Sequence, residues 1–440
     1  MKNFIVQIKK LKDSEKASVI LSNFFSLSFL NAINLIFPLL TIPYLVKVLG
    51  VEKYGLLAFA AAVISYFNIV VEYGFNLSAT RNLSICRQHH DKVERIYSTV
   101  IVAKIALTVI CFLVLFLLST LAEDIRLDAK VYYFTFGVVI GQALMPIWFF
   151  QAMEKMKFIT IAALFSKLIP TLLIFYFIRS PADYRVVPLL NGVGSIIAGI
   201  FSCLLLRYHF KIKFRLPSFS SVFKSLDDGW YVFLSQVKIS LFSNTNTVLL
   251  GILSGNVAVG YYNSAEKVMR AIAMLGTPLT SALFPYVARE IKTDIHRLAG
   301  QLMQIVKYAV GIQSLVIIPV FAFAGPLCNL IFDDLDGNIA LTLKVMLIAP
   351  IFMMVNNIFG IQIMLGLKED RKYFQILFIA GIANLGLCSF LAYYFSATGA
   401  AISLLLVEAY VAVAMYWSGR KILKKSIDID FKTGENACPP

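Results

Sequence analysis

Charge is scarce in this chain. Asp, Glu, Lys and Arg together make up only 15% of its 440 residues, whereas a soluble domain carries roughly a quarter. With 59% hydrophobic residues and a mean hydropathy of +0.78, a water-soluble fold is excluded. Acidic residues are scarcest, 25 against 40 Lys and Arg, which leaves a formal charge of +15. Cysteines are few: Cys86, Cys111, Cys203, Cys328, Cys388 and Cys438 are scattered without metal-ligand spacing and read as small packing residues. There is no Gly-rich phosphate loop, GxSxG, HExxH or Cys/His cluster, so neither an enzyme signature nor a cofactor or metal is expected. Alternating ten-residue strands are missing, which argues against a β-barrel. The stretch from Met1 to Lys16 is polar and lacks the short apolar core of a removable signal peptide.

What the sequence does contain is apolar runs of the length that crosses a hydrocarbon core about 30 Å thick. They fall near 19–46, 56–73, 97–118, 131–151, 158–178, 186–206, 228–252, 262–287, 301–323, 338–365, 373–395 and 397–418. With both termini cytoplasmic, the inside segments hold 27 Lys and Arg and the outside segments 6, the asymmetry expected of a polytopic protein. That excess accounts for the basic composition without nucleic acid. The expected fold is an all-α integral membrane protein of about twelve transmembrane helices in a bacterial inner (cytoplasmic) membrane. Trp148, Trp230 and Trp417 fall at cytoplasmic span ends, where an indole suits the headgroup layer. His89, His90, His209 and His296 fall in cytoplasmic loops and read as solvated.

The basic stretch from Arg207 to Arg215 divides the spans six and six. It predicts two six-helix bundles, 1–215 and 216–440, the second with a short cytoplasmic tail, joined by a linker lying on anionic headgroups. An internal echo supports duplication. Gly50, Gly55 and Ala60 recur as Gly255, Gly260 and Ala265, and Arg95 and Lys104 are matched by Arg297 and Lys307. An even number of spans per half makes the repeats parallel, with a substrate site expected between them.

Ionised groups inside spans usually face a cavity, because the bilayer centre costs such a group roughly 3 kcal/mol. Lys104, Lys167, Lys238, Lys267, Arg270, Lys307 and Lys344 stand against only Glu72, Glu266 and Glu408. Snorkelling is the competing account for Lys104, Lys307 and Lys344, which lie near span ends. The excess predicts a central cationic cavity and an anionic substrate. Two polar stripes add hydrogen-bonding groups, or else helix-packing contacts. The first span carries Asn31, Asn34, Pro38 and Thr41 on one face. The seventh carries Gln236, Ser240, Ser243 and Thr247, flanked by Asn244 and Asn246. Pro38, Pro43, Pro278 and Pro285 are expected to kink the first and eighth spans. The candidate substrate-binding set is Lys104, Lys167, Lys238, Lys267, Arg270, Lys307, Asn31, Asn34, Gln236 and Asn244. Glu408 is the candidate for ion coupling, or is paired with a neighbouring lysine.

Four segments carry a family resemblance. Glu72-Tyr-Gly-Phe-Asn-Leu-Ser-Ala-Thr-Arg81, Trp148-Phe-Phe-Gln-Ala-Met-Glu-Lys-Met-Lys157, and Ala265-Glu-Lys-Val-Met-Arg270 with Phe284-Pro-Tyr286 resemble the polysaccharide transporter family, and within it the O-antigen (Wzx-type) flippases. The resemblance implies membership of the multidrug/oligosaccharidyl-lipid/polysaccharide exporter superfamily. It implies outward translocation of an undecaprenyl-diphosphate-linked oligosaccharide by alternating access. The implied partners are membrane lipids and the polysaccharide polymerase and chain-length machinery. A lipid II flippase shares fold and diphosphate cargo. A drug or cation antiporter of the same superfamily would want an acidic cavity, which the charge balance opposes. A twelve-helix sugar carrier of the major facilitator type would want a Gly, Asp and Arg arrangement that 74–96 lacks. A membrane polysaccharide polymerase would want a sizeable outside loop, and the outside loops here are short.

Overall fold

In the computed structural model the described residues are 15–277, 295–367 and 369–435, together with Thr280, Leu283, Val287 and Ile291. Pro278, Pro285, the Phe284–Tyr286 segment and Cys438 lie outside this set, as do the side chains of Lys238, Ser240, Ser243, His296 and Arg297. Among the described residues there is no strand. Among these residues nine helical stretches are long and apolar enough to cross a membrane. The chain is a multi-pass helical membrane protein.

Two compact units divide the chain, residues 1–240 and 241–440. The first contains α1 (Glu15–Leu49), α2 (Val51–Glu72), α3 (Phe75–Cys86), α4 (His90–Leu121), α5 (Glu123–Leu127), α6 (Ala129–Leu144), α7 (Ile147–Ala152), α8 (Met156–Phe177) and α9 (Val186–Tyr208). α10 (Phe219–Met274) starts in the first unit and continues into the second. The second unit adds α11 (Ile295–Ala322), α12 (Ala324–Phe332), α13 (Asn338–Met346), α14 (Ala349–Asn356), a π-helical turn (Asn357–Leu365) and α15 (Asp370–Glu435).

α10 and α15 are not single rods. The apolar part of α15 runs for 55 residues, about 80 Å at ~1.5 Å per residue, against a hydrocarbon core of about 30 Å. Ser396, at φ 51 and ψ −132, breaks it between the predicted spans 373–395 and 397–418. Gly255, at φ 79 and ψ −179, breaks α10 in the same way. α1 carries Pro38 and Pro43 inside an assigned helix that runs without interruption.

The outward faces are greasy, as lipid demands. α4 exposes Ile105, Val109, Ile110, Leu113, Phe116 and Leu117, which in water would be a liability and in hydrocarbon is the favoured solvent contact. Inside the first unit, α6 and α9 approach through small residues. A Cβ on Gly141 would lie 2.3 Å from the Ser195 backbone, and one on Gly192 2.7 Å from the Phe134 carbonyl oxygen. Such contact lets backbones pack where no hydrophobic effect drives helices together.

Trp148 corrects the sequence reading. It is fully buried rather than in a headgroup layer, because the short α7 folds the indole under Tyr97 and Phe149, at ring distances of 6.3 and 6.2 Å. Trp230 and Trp417 are exposed. The linker is also anchored to protein. Glu94, 1% exposed, accepts the Lys213 N–H at 2.9 Å and pairs with Arg215 Nε at 2.6 Å, while Ser98 Oγ accepts the Arg215 N–H at 2.9 Å.

Candidate functional site

The second half of α10 places Glu266, Lys267 and Arg270 within two turns. Spacing of four brings Glu266 and Arg270 onto one face, and Arg270 donates from Nε and Nη2 to Glu266 Oε1 at 2.9 and 2.7 Å. Glu266 is buried, whereas the guanidinium keeps 42% of its side-chain exposure and lines a cavity of about 260 Å³ with Thr277, Thr280, Gln313 and Asn357. Of the five guanidinium N–H groups, three are not engaged by Glu266.

A neighbouring cavity of about 210 Å³ is lined by Asn356, Asn357, Tyr373, Glu408 and Met415, and shares Met353 and Asn357 with the first. Asn356 and Asn357 meet at the switch from α14 to the π-helical turn. π-Turns inside helices recur at functional sites because they re-aim side chains. Glu408, 6% exposed, accepts from Asn356 Nδ2 at 2.7 Å, so its partner is an amide rather than a lysine.

The candidate residues of the first unit have different surroundings. Lys104 is fully buried, its Nζ 2.9 Å from Glu72 Oε1 and 3.0 Å from the Gln142 carbonyl oxygen. It does not snorkel. Lys167, Asn31, Asn34 and Gln236 are exposed on their helices. In the second unit Lys307 is exposed, Lys267 and Asn244 are half-buried, and Lys344 sits 6.0 Å from the Phe321 ring centroid. The deeper end of the α10 stripe is packing. Asn246 donates to Tyr262 and accepts from Asn384 at 2.8 Å, Ser403 donates to Asn384, and Asn263 donates to Thr247.

The structure therefore brings together Arg270 and the Glu408 cavity, and adds Gln313, Asn356, Asn357 and Tyr373, which the sequence reading passed over. Amides inside apolar runs were the available signal. Among the described residues no cluster of three or more His, Cys, Asp or Glu is placed to hold a metal.

The fold has solved counterparts. An inward-facing multidrug resistance MATE family transporter of the MOP superfamily superposes with a TM-score of 0.69 over 92% of this chain and 99% of that one, at 13% identity. The lipid II flippase MurJ, in an inward closed conformation, gives 0.67 over 96% and 93%, also at 13% identity. These likenesses define the class, a helical membrane transporter fold. Sequence narrows it. The family described as Polysaccharide biosynthesis protein matches residues 20–290. A protein of Escherichia coli (strain K12) named as an O-antigen transporter is 31% identical over 89% of this chain and 95% of its own length. A Shigella dysenteriae protein of the same name is 27% identical over 89% and 98%. The chain belongs to the polysaccharide biosynthesis protein family.

Proposed function

We propose that this chain is a flippase that carries an undecaprenyl-diphosphate-linked O-antigen repeat unit from the cytoplasmic to the periplasmic leaflet of a bacterial inner membrane by alternating access. The observation that carries the reading is the 31% identity, over nearly the whole of both chains, to the Escherichia coli protein named as an O-antigen transporter. Both termini lie in the cytoplasm. The diphosphate is held by Arg270 as a donor fork and by Lys267 as a point charge, while the polyprenyl tail stays in lipid. With the cytosol negative, moving two negative charges outward gains roughly 4 to 5 kcal/mol per 100 mV, at about 2.3 per charge. Flipping runs downhill. The released unit passes to the polymerase and chain-length machinery.

Deletion of the gene tests the function directly. Loss of surface O-antigen with accumulation of the undecaprenyl-linked unit is expected. Surface glycan reduced to single repeats would instead mark a polymerase. Removing Arg270 alone strands a buried carboxylate, so R270Q combined with E266Q is the cleaner probe of the site. Normal O-antigen from that double variant would remove Arg270 from the machinery.

A further inference from the structure

Charge and hydrogen-bond polarity change from one cavity of the second unit to the next. The 260 Å³ space has Arg270, and the adjoining 210 Å³ space has Glu408. In the wall of the second, the groups around Asn356 accept rather than donate. Asn356 must turn Nδ2 toward the Glu408 carboxylate, which can only accept when ionised, so its Oδ1 points elsewhere. That oxygen is buried, and among the described residues nothing donates to it. A buried acceptor without a donor is costly. A diphosphate, which at neutral pH carries acceptors and negative charge, does not meet that need. A sugar does, because its hydroxyl and acetamido N–H groups donate. Tyr373 and Met415 supply apolar wall for the ring.

We propose that the cavity bounded by Glu408, Asn356 and Asn357 is a sugar subsite that takes the first sugar of the lipid-linked unit, beside the diphosphate at Arg270. It selects a neutral or amino sugar and rejects a uronic acid, whose carboxylate would face Glu408 and the unpaired Asn356 amide oxygen. The order of the two cavities matches the order of diphosphate and first sugar in the cargo. Taken together they reach the size of ordinary small-molecule sites, roughly 300 Å³ and upward. This assignment rests on the flippase reading, and it makes Glu408 a cargo-recognition residue rather than an ion-coupling one.

The experiment is native mass spectrometry of the purified full-length protein in detergent with three probes. These are undecaprenyl diphosphate, the same lipid bearing N-acetylglucosamine, and the same lipid bearing glucuronic acid. The wild type is expected to bind the N-acetylglucosamine lipid about ten-fold or more tightly than either of the others, the scale of one hydrogen bond to a charged group. E408A and N356L should abolish that preference while melting within a few degrees of wild type, and the near-isosteric E408Q should narrow the gap between the glucuronic acid and N-acetylglucosamine lipids. Equal binding of all three probes, or a preference that survives E408A and E408Q, overturns the sugar subsite and leaves the flippase reading standing. Failure of the wild type to bind any of the three overturns both.

Discussion

Gly50 and Gly255 share one backbone conformation, φ 79 with ψ 160 in the first and φ 79 with ψ −179 in the second, each at a break between two helical segments. They stand 205 positions apart, the offset of the sequence echo. Gly55 and Gly260, five residues on, are both buried, and Ala60 and Ala265 are both fully buried. A shared conformation in a region of φ/ψ space open essentially to glycine alone supports an internal duplication more strongly than the letters do. The second echo is not matched by environment, since Lys104 is buried and Lys307 exposed.

At both glycines an added Cβ would meet nothing within 4 Å, so the side chain has room and only the backbone objects. Gly50→Ala and Gly255→Ala should each destabilise by about 1 to 3 kcal/mol through φ/ψ strain. Equal losses of melting temperature in purified protein are expected from the two. A loss at one site alone would show that the shared conformation is not a shared constraint.

Class and family were legible because the bilayer constrains composition and run length, and because charge in loops follows a rule. Pairing was not. Lys104 and Glu72 are 32 residues apart on different helices, and counting cations cannot show that one of them is already neutralised. The amides Asn356, Asn357 and Gln313 that line the two cavities were hidden for a related reason. They are polar but uncharged, and the convergence of Asn356 and Asn357 depends on a π-turn that no residue period announces. Glu94 is silent in the sequence because its partners Lys213 and Arg215 lie beyond four predicted spans.

The burial of Lys104 leads to a sharp expectation. Lys104→Met leaves the Glu72 carboxylate without its cation and should cost about 3 kcal/mol, the lower end for a broken buried pair because Glu72 keeps slight exposure. Lys104→Met combined with Glu72→Met should recover most of that loss, since apolar replacement of a whole buried pair is often neutral. Melting curves check stability, and surface O-antigen in a deletion strain checks export. We expect export to follow stability. A double variant that melts normally and exports nothing would make Lys104 part of the substrate site.

Packing of α6 on α9 offers a test independent of charge. Gly141→Ala places a methyl 2.3 Å from the Ser195 backbone carbon and 2.5 Å from its oxygen. Backbone cannot rotate aside as a side chain does, so the helices must separate. An overpacking cost of about 1 to 3 kcal/mol is expected, visible as a lower melting temperature. Gly311→Ala, with nothing within 4 Å of the new methyl, should melt at or above the wild-type temperature, because α11 gains helix propensity. Indistinguishable melting of the two variants would mean that α6 and α9 do not pack at this distance.

The anchored linker gives the last test, and its logic is one of populations. Trypsin cuts after Arg207, Lys211, Lys213 and Arg215 only when that stretch leaves the protein surface. Glu94 holds it down with the Lys213 N–H and the Arg215 guanidinium, and Arg215 also reaches Asp91 at 2.7 Å. Glu94→Ala removes the buried acceptor, and losing a hydrogen bond to a charged group is worth about 1.5 to 3 kcal/mol. When opening is fast relative to cleavage, the rate tracks the open population, so trypsinolysis of the purified protein should accelerate about ten-fold or more. Glu94→Gln keeps an acceptor for the Lys213 N–H and should fall between. Arg215→Ala should have less effect than Glu94→Ala, because Glu94 keeps the Lys213 N–H and the lost Asp91 pair is exposed and contributes little. If cleavage at these sites is equally fast in wild type and Glu94→Ala, the linker is held by something other than Glu94, and the headgroup-bound linker of the sequence reading becomes the better account.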